Sequence, residues 1–277
     1  MLAVATLLAL FLALAPSAGV AQTAPQSYRA TAGKPIVLTH ACAEPEMNDF
    51  GLACSEDEPC PILIELSAIE AVGRKLFVTG NFHTDKATLA SLLLATDDEG
   101  ETWTEPYARQ RAALLDLIQF VDFEIGWISG HSTGSLPRDP FLLKTSDGGK
   151  TWIRYGVYDE NAIGVVDSFW FDSRTHGLLV FDRTVRGEDG TRYRLLESQG
   201  GGTTWMLREI SPKPISSPRP KRESDLRIRA EASSKSYRIE RRAGGKWSLV
   251  SAFSMSAGAC KPAPPPEPPK SEAVKQQ

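Results

Sequence analysis

Apolar positions in this chain come in short runs of four or five residues, separated by clusters of Gly, Asp, Ser and Thr. Ser91-Leu92-Leu93-Leu94-Ala95, Phe141-Leu142-Leu143-Lys144 and Tyr193-Arg194-Leu195-Leu196-Glu197 are the clearest. Runs of this length bounded by turn formers predict β-strands, because a helix needs a longer stretch with 3.6-residue periodicity. Three more strands are predicted at 226–230, 236–241 and 246–253, and an unpaired one at 35–39. The fold class read from the pattern is all-β.

One apolar run differs in kind. Residues 1–21 carry no charge, and the stretch 2–15 has the length of a signal-peptide core while being short for a spanning helix. The small residues Gly19-Val20-Ala21 then offer a cleavage site. We read 1–21 as a signal peptide and 22–34 as a linker, with a secreted or periplasmic mature chain and no stable membrane insertion after cleavage; an uncleaved anchor is the alternative. Export makes the cysteines an even set in an oxidising compartment: Cys42, Cys54, Cys60 and Cys260. Every possible full pairing joins Cys260 to one of the other three, so complete oxidation ties the two ends of the domain together. A zinc site using His40 with the cysteines is the rival reading, and no Cys-x2-Cys spacing supports it.

The middle of the chain repeats. Thr96-Asp97-Asp98-Glu99-Gly100-Glu101-Thr102-Trp103 matches Thr145-Ser146-Asp147-Gly148-Gly149-Lys150-Thr151-Trp152. A third copy runs from Ser198 through Gly202 to Trp205 with Gly200 in the aspartate position, and a fourth keeps only Gly244-Gly245-Lys246-Trp247. The tryptophans lie 49, 53 and 42 residues apart, intervals the size of a propeller blade. The octet has the chemistry of a tight hairpin: Gly100 and Gly149 permit positive φ, and the Asp98 and Asp147 carboxylates can accept turn N–H groups. The tryptophan then opens the next strand and offers a large face to a neighbouring sheet, a packing role expected of all four. A second element, Phe120-Val121-Asp122 followed by Gly126-Trp127, resembles Trp170-Phe171-Asp172 followed by Gly177-Leu178. Units of about 61–108, 112–158, 162–210 and 224–256 follow, the last with only three strands.

This octet resembles that of Asp-box (BNR-type) β-propeller proteins, and the likeness covers about 61–256. The plan of 120–152 resembles that of the photosystem-assembly-factor-like repeat proteins in particular, and the sialidase superfamily more distantly. The resemblance implies about four blades of four strands, or five if 42–60 hides another, with the ring closed by the N- and C-terminal segments. A partial ring completed by a second chain is the other possibility. Closure by the termini would bring Cys42 near Cys260. Residues 35–60 form a Cys-containing N-terminal segment with a possible closing strand, and 257–277 read as a proline-rich disordered tail. The interruption at 212–229, rich in Pro, Lys and Arg, reads as a solvated inter-blade loop, with a docking patch for an acidic partner as the alternative.

Candidate chemistry is sparse. Lys plus Arg total 31 against 34 Asp plus Glu, a balance that excludes an ordinary nucleic-acid binder. A sialidase needs an arginine triad, a tyrosine nucleophile with a glutamate, and an acid. Only Arg29 and Arg74 precede the first octet among exported residues, and neither sits in the required context. Tyr155, Tyr158, Asp159 and Glu160 form a polar-aromatic cluster that turn residues explain equally well. His40, His83, His131 and His176 show no metal spacing, and the acidic stretch from Glu44 to Glu58 reads as a solvated loop rather than a calcium site. No catalytic, cofactor or metal residue is assigned. The expectation is a non-catalytic module that binds a protein partner, with a glycan ligand or glycoside hydrolysis as the alternative. Recognition is expected on the loops 80–89, 132–139 and 183–191.

Overall fold

The computed structural model describes residues 26–42, 44–133, 139–157, 164–183, 190–220 and 224–262. The segment expected to be a signal peptide, residues 22–25 of the expected linker, the proline-rich residues 263–277 and Tyr158, Asp159 and Glu160 lie outside the described residues.

Short amphipathic segments joined by Gly- and Asp-containing turns can bury their apolar faces only as antiparallel meanders, and four sheets form. The first holds β1 (Ser27–Arg29), β2 (Cys60–Val72), β3 (Lys75–His83), β4 (Thr88–Thr96) and β5 (Thr102–Thr104), with β17 (Ser256–Cys260) on its inner edge. The second is β6 (Ala113–Phe120), β7 (Gly126–Ser132), β8 (Pro140–Thr145) and β9 (Ile153–Gly156). The third is β10 (Val165–Phe171), β11 (Gly177–Asp182), β12 (Tyr193–Ser198) and β13 (Met206–Ser211). The fourth has three strands, β14 (Leu226–Glu231), β15 (Ser236–Ala243) and β16 (Lys246–Ser254). Their first strands gather at the centre, β2 against β14 and β6, and β10 against β6. The chain is a β-propeller of four blades. The inner strands of blades one to three each carry a register shift, at Leu66/Ala68, Leu115/Ile118 and Val166/Ser168.

The octets set how the blades meet. The Thr96 hydroxyl donates to Asp98 Oδ1 at 2.7 Å and accepts the Gly100 N–H at 3.0 Å, while Asp98 Oδ1 accepts the Thr102 N–H at 2.8 Å. In the second copy Thr145 and Gly149 repeat this, and Asp147 collects the N–H groups of Lys150 and Thr151 and the Thr151 hydroxyl. Burial works against ionisation of Asp147, and these donors outweigh it, holding its pKa at about 2. Gly100 and Gly149 have φ of 99° and 82°, and each turn is pressed against the preceding blade. A Cβ on Gly100 would lie 2.6 Å from Val250 Cγ1, and one on Gly149 would lie 2.4 Å from Phe77 Cζ.

The tryptophans follow their turns inward. Trp103 donates to Gly100 O and Ser251 Oγ and meets Phe253 of the fourth blade edge-on. Trp152 donates to Gly149 O and meets Phe77 of the first blade and Phe120 of its own. In the third copy the Ser198 hydroxyl still accepts the Gly202 N–H at 2.8 Å, and Trp205 packs on Phe171. Trp205 Nε1 is buried without a hydrogen-bond partner, and Trp127 Nε1 of blade two donates to Gly201 O of this turn at 3.0 Å.

Three apolar clusters result. One joins blades four and one around Phe253, Ile239, Trp103 and Ile64. Another joins blades one and two around Phe77, Leu93, Phe141 and Trp152, and the last joins two and three around Trp127, Leu142, Phe171 and Leu179. No such cluster joins blades three and four among the described residues. The fourth tryptophan corrects our expectation. A Cβ on Gly244 or Gly245 would meet nothing within 4 Å, and Trp247 is only half-buried, beneath the Arg227 guanidinium at 4.1 Å.

The termini stitch blade four to blade one. Tyr28 of β1 pairs with Trp103, Ile36 bridges Phe253, and β17 pairs with β2. Disulfides join Cys42 to Cys260 and Cys54 to Cys60, which leaves no thiolate for a zinc site. The first spans 218 residues, and chain entropy puts its closure at about 5 kcal/mol. Several expectations change in detail. The strand expected at 35–39 is an extended segment with one bridge at Ile36, and part of the acidic loop is a short helix, α1 (Glu44–Asp49). Ser256–Cys260 is a strand, so the ordered fold extends into the segment expected to be tail. Gly126 and Gly177 face the rings of Phe120 and Phe171, so Phe171, rather than Trp170, is the counterpart of Phe120.

Wedging by the octets has a paired consequence for stability. Trp152→Ala should cost about 3–5 kcal/mol in urea unfolding, whereas Trp247→Ala should cost less than about 1 kcal/mol. Equal losses would show that the fourth octet packs like the others.

Candidate functional site

The octet hairpins join β4 to β5, β8 to β9 and β12 to β13, so the segments between β3 and β4, β7 and β8, and β11 and β12 follow from the opposite strand ends. These are the three segments expected to serve recognition. Residues 134–138 and 184–189 of them lie outside the described residues. The β3–β4 turn is internally braced: the Thr84 hydroxyl accepts N–H groups from Lys86 and Ala87, and the Thr84 N–H donates to Ala87 O at 2.8 Å.

A cleft of about 850 Å³ opens there. Lys86, Ala87 and Thr88 from the first turn and His131 and Thr133 from the second form two sides. Asp49 and Phe50, at the end of α1, form a third, and Arg111, Ala112 and Leu114 lie between. Ala112 holds φ of 51°, donating to Leu89 O and accepting the Thr133 N–H, so the chain entering β6 is locked between both turns. Arg111 donates to Asp49 at 2.6 Å and lies 4.9 Å above the Phe50 ring. Asp49 is the sole carboxylate among the lining residues, against Arg111, Lys86 and His131. Asp85 lies 3.5 Å from Lys86 and Asp116 lies 3.6 Å from His131, so each of these side chains has its own carboxylate neighbour, beside apolar surface from Phe50 and Leu114.

Sequence reasoning anticipates the two turns and misses Asp49, Phe50 and Arg111. Asp49 reads as one residue of a general acidic loop, and nothing in the sequence signals that this loop meets Arg111, 62 residues away. None of the octet residues Thr96, Asp98, Gly100, Trp103, Thr145, Asp147, Gly149, Trp152, Ser198, Gly202, Trp205 or Trp247 lines the cleft.

A tyrosine–glutamate–arginine cluster does exist elsewhere. Tyr28 donates to Glu105 at 2.6 Å, and Arg109 grips the same carboxylate through Nε and Nη2 at 2.7 and 2.6 Å. Arg109 also donates to Thr39 O and lies 4.1 Å over Phe82, on which His40 stacks. Burial and the adjacent Glu105 push the Tyr28 phenol above its ordinary value, the opposite of an activated nucleophile. The cluster lies where β1 meets β5, at the outer edge of blade one, and it fastens the N-terminal segment.

Two histidines have opposed environments. Burial lowers the His40 pKa, with Glu46 at 3.5 Å pulling the other way. His176 faces Asp172 at 2.7 Å and Glu197 at 3.0 Å, and hydrogen bonds to those carboxylates raise its pKa. Among the described residues no group of three His, Cys, Asp or Glu side chains is placed to hold a metal ion, and no helix is long and apolar enough to cross a membrane.

No protein-family model matches the chain, and no curated protein matches it. Among solved structures it is similar to YCF48 bound to a D1 peptide, at 16% identity and a TM-score of 0.36, over 68% of this chain and 57% of that one. It is similar to the phage phi92 endosialidase at 9% identity and a TM-score of 0.39, over 68% and 42%. It is also similar to Zg3597, a family 117 glycoside hydrolase of Zobellia galactanivorans, at 10% identity and a TM-score of 0.38, over 83% and 76%. The chain spans about half the length of the first two.

Proton NMR titration should place His176 above the ordinary imidazole value of about 6.5 and His40 below it. The His176 contribution to stability is full below that ordinary value and is lost as pH rises through its raised pKa. The His40 contribution is present above the ordinary value and is lost as pH falls through its lowered pKa. A reversed order of the two midpoints would contradict the described surroundings.

Proposed function

We propose that this chain is an exported, non-catalytic propeller of the Asp-box kind that binds a segment of a protein partner in its loop-end cleft. The observation that carries the reading is the lining of that cleft: the Arg111 guanidinium, bonded to Asp49, lies 4.9 Å above the Phe50 ring, with Lys86 and His131 at its sides. Phe50 and Leu114 add the apolar contact that protein interfaces combine with arginine anchors. The hydroxyl, aspartate, glycine and tryptophan of the first two octets support the family reading. Two disulfides and the uncharged apolar segment 1–21 support export, with 22–277 as the mature chain. The octets serve structure in this account, and recognition belongs to the turns at the other end.

The test is affinity capture from envelope extract with oxidised residues 22–277 as bait, followed by mass spectrometry. A reproducible protein partner should be retained by the native chain and weakened about tenfold or more by Arg111→Glu or Lys86→Glu. Capture indifferent to both substitutions, or turnover of fluorogenic glycosides by the native chain, would overturn the reading.

A further inference from the structure

The fourth blade has three strands where the others have four or more. Its outer strand β16 meets the N-terminal segment at one point, where Ile36 donates to Ala252 O at 2.7 Å and accepts the Ser254 N–H at 2.8 Å. From Lys246 to Val250 that edge has no backbone partner among the described residues. The Gly244-Gly245 turn, with φ of 56° and 79°, makes Ala243 and Lys246 the first bonded pair. Alternation along an antiparallel ladder then turns the N–H and C=O groups of Trp247 and Leu249 outward, away from β15.

A cleft of about 300 Å³ lies beside this edge, between the 31–34 turn and the Leu249 to Ala252 stretch of β16. Its charged lining is Lys34 and Arg238, with no carboxylate. Behind Arg238, the buried Glu240 is shared between Arg238 at 3.1 Å and Arg227 at 2.7 Å, so one carboxylate serves two guanidinium groups. Lys34 has no ion pair among the described residues. Leu249 is 50% exposed on the strand itself. An open ladder, an apolar side chain and surplus positive charge therefore share one side of the blade.

We propose that the outer edge of β16 is a second docking site, where an extended acidic segment of a partner protein adds as the fourth strand of the fourth blade. Its backbone pairs with Trp247 and Leu249, an apolar side chain covers Leu249, and a carboxylate reaches Lys34 and Arg238. Strand addition takes affinity from main-chain hydrogen bonds and selectivity from alternate side chains. The site shares no lining residue with the loop-end cleft, and it stands or falls independently of that reading.

The probe is a short, capped, fluorescent peptide of alternating glutamate and valine, titrated with the full oxidised chain and followed by anisotropy. Saturable binding is expected, weakened roughly tenfold by Arg238→Glu and likewise by Lys34→Glu on an exposed turn, with circular dichroism unchanged. Two further peptides carry N-methyl groups on every glutamate or on every valine. Strand pairing predicts that one binds and the other does not, because the methyl groups of one set block the ladder. Equal binding of both, binding indifferent to the two substitutions, or no saturable binding would overturn the proposal. A concentration-dependent dimer abolished by the same substitutions would overturn it in favour of a second copy of this chain.

Discussion

The hydroxyl of Thr96, Thr145 or Ser198 accepts the N–H of the glycine four residues later, and the packing of this propeller depends on that bond. It closes a turn that only a residue tolerant of positive φ can complete, and the absent side chain lets the turn press against the blade before it. In the first two copies aspartate secures the rest of the loop, and the tryptophan indole bonds back to the glycine carbonyl. A polar turn thereby delivers a large apolar ring to the interface. Each of the three apolar clusters contains or adjoins one of these rings.

The fourth copy lacks both the hydroxyl and the aspartate, and its tryptophan stays on its own sheet under Arg227. Blade four is held from its other side, by Phe253 against Trp103, by the Ile36 bridge, by β17 on β2 and by the Cys42–Cys260 disulfide. The termini thus do for this blade what the octets do for the other three. The arrangement leaves the outer edge of β16 without a backbone partner from Lys246 to Val250 among the described residues.

Much of this is legible in the sequence where a local motif fixes a local structure. The octets, the short strands and a link from Cys260 to the N-terminal region follow from turn chemistry, periodicity and cysteine parity. The choice of Cys42 as partner is a long-range fact, and it requires the terminal segments to be placed. The register shifts fall at Ser67, at Asp116 and Leu117, and at Asp167, positions with no glycine or proline to mark them. Trp247 departs from expectation because Gly-Trp alone lacks the groups that drive the ring between sheets. Asp49 and Arg111 meet only after α1 and the residues just after it pack through Met47 and Leu52 into the first cluster, a contact no spacing encodes.

The central claim is that three blade junctions are wedged by octets and the fourth octet wedges nothing. Native-state hydrogen exchange on the oxidised chain tests it most directly. The amides of Gly100, Gly149 and Gly202, each bonded to a buried hydroxyl, should exchange only through large-scale opening. Those of Gly244, Gly245 and Trp247 should exchange by local fluctuation, orders of magnitude faster. Comparable protection in all four turns would contradict the account.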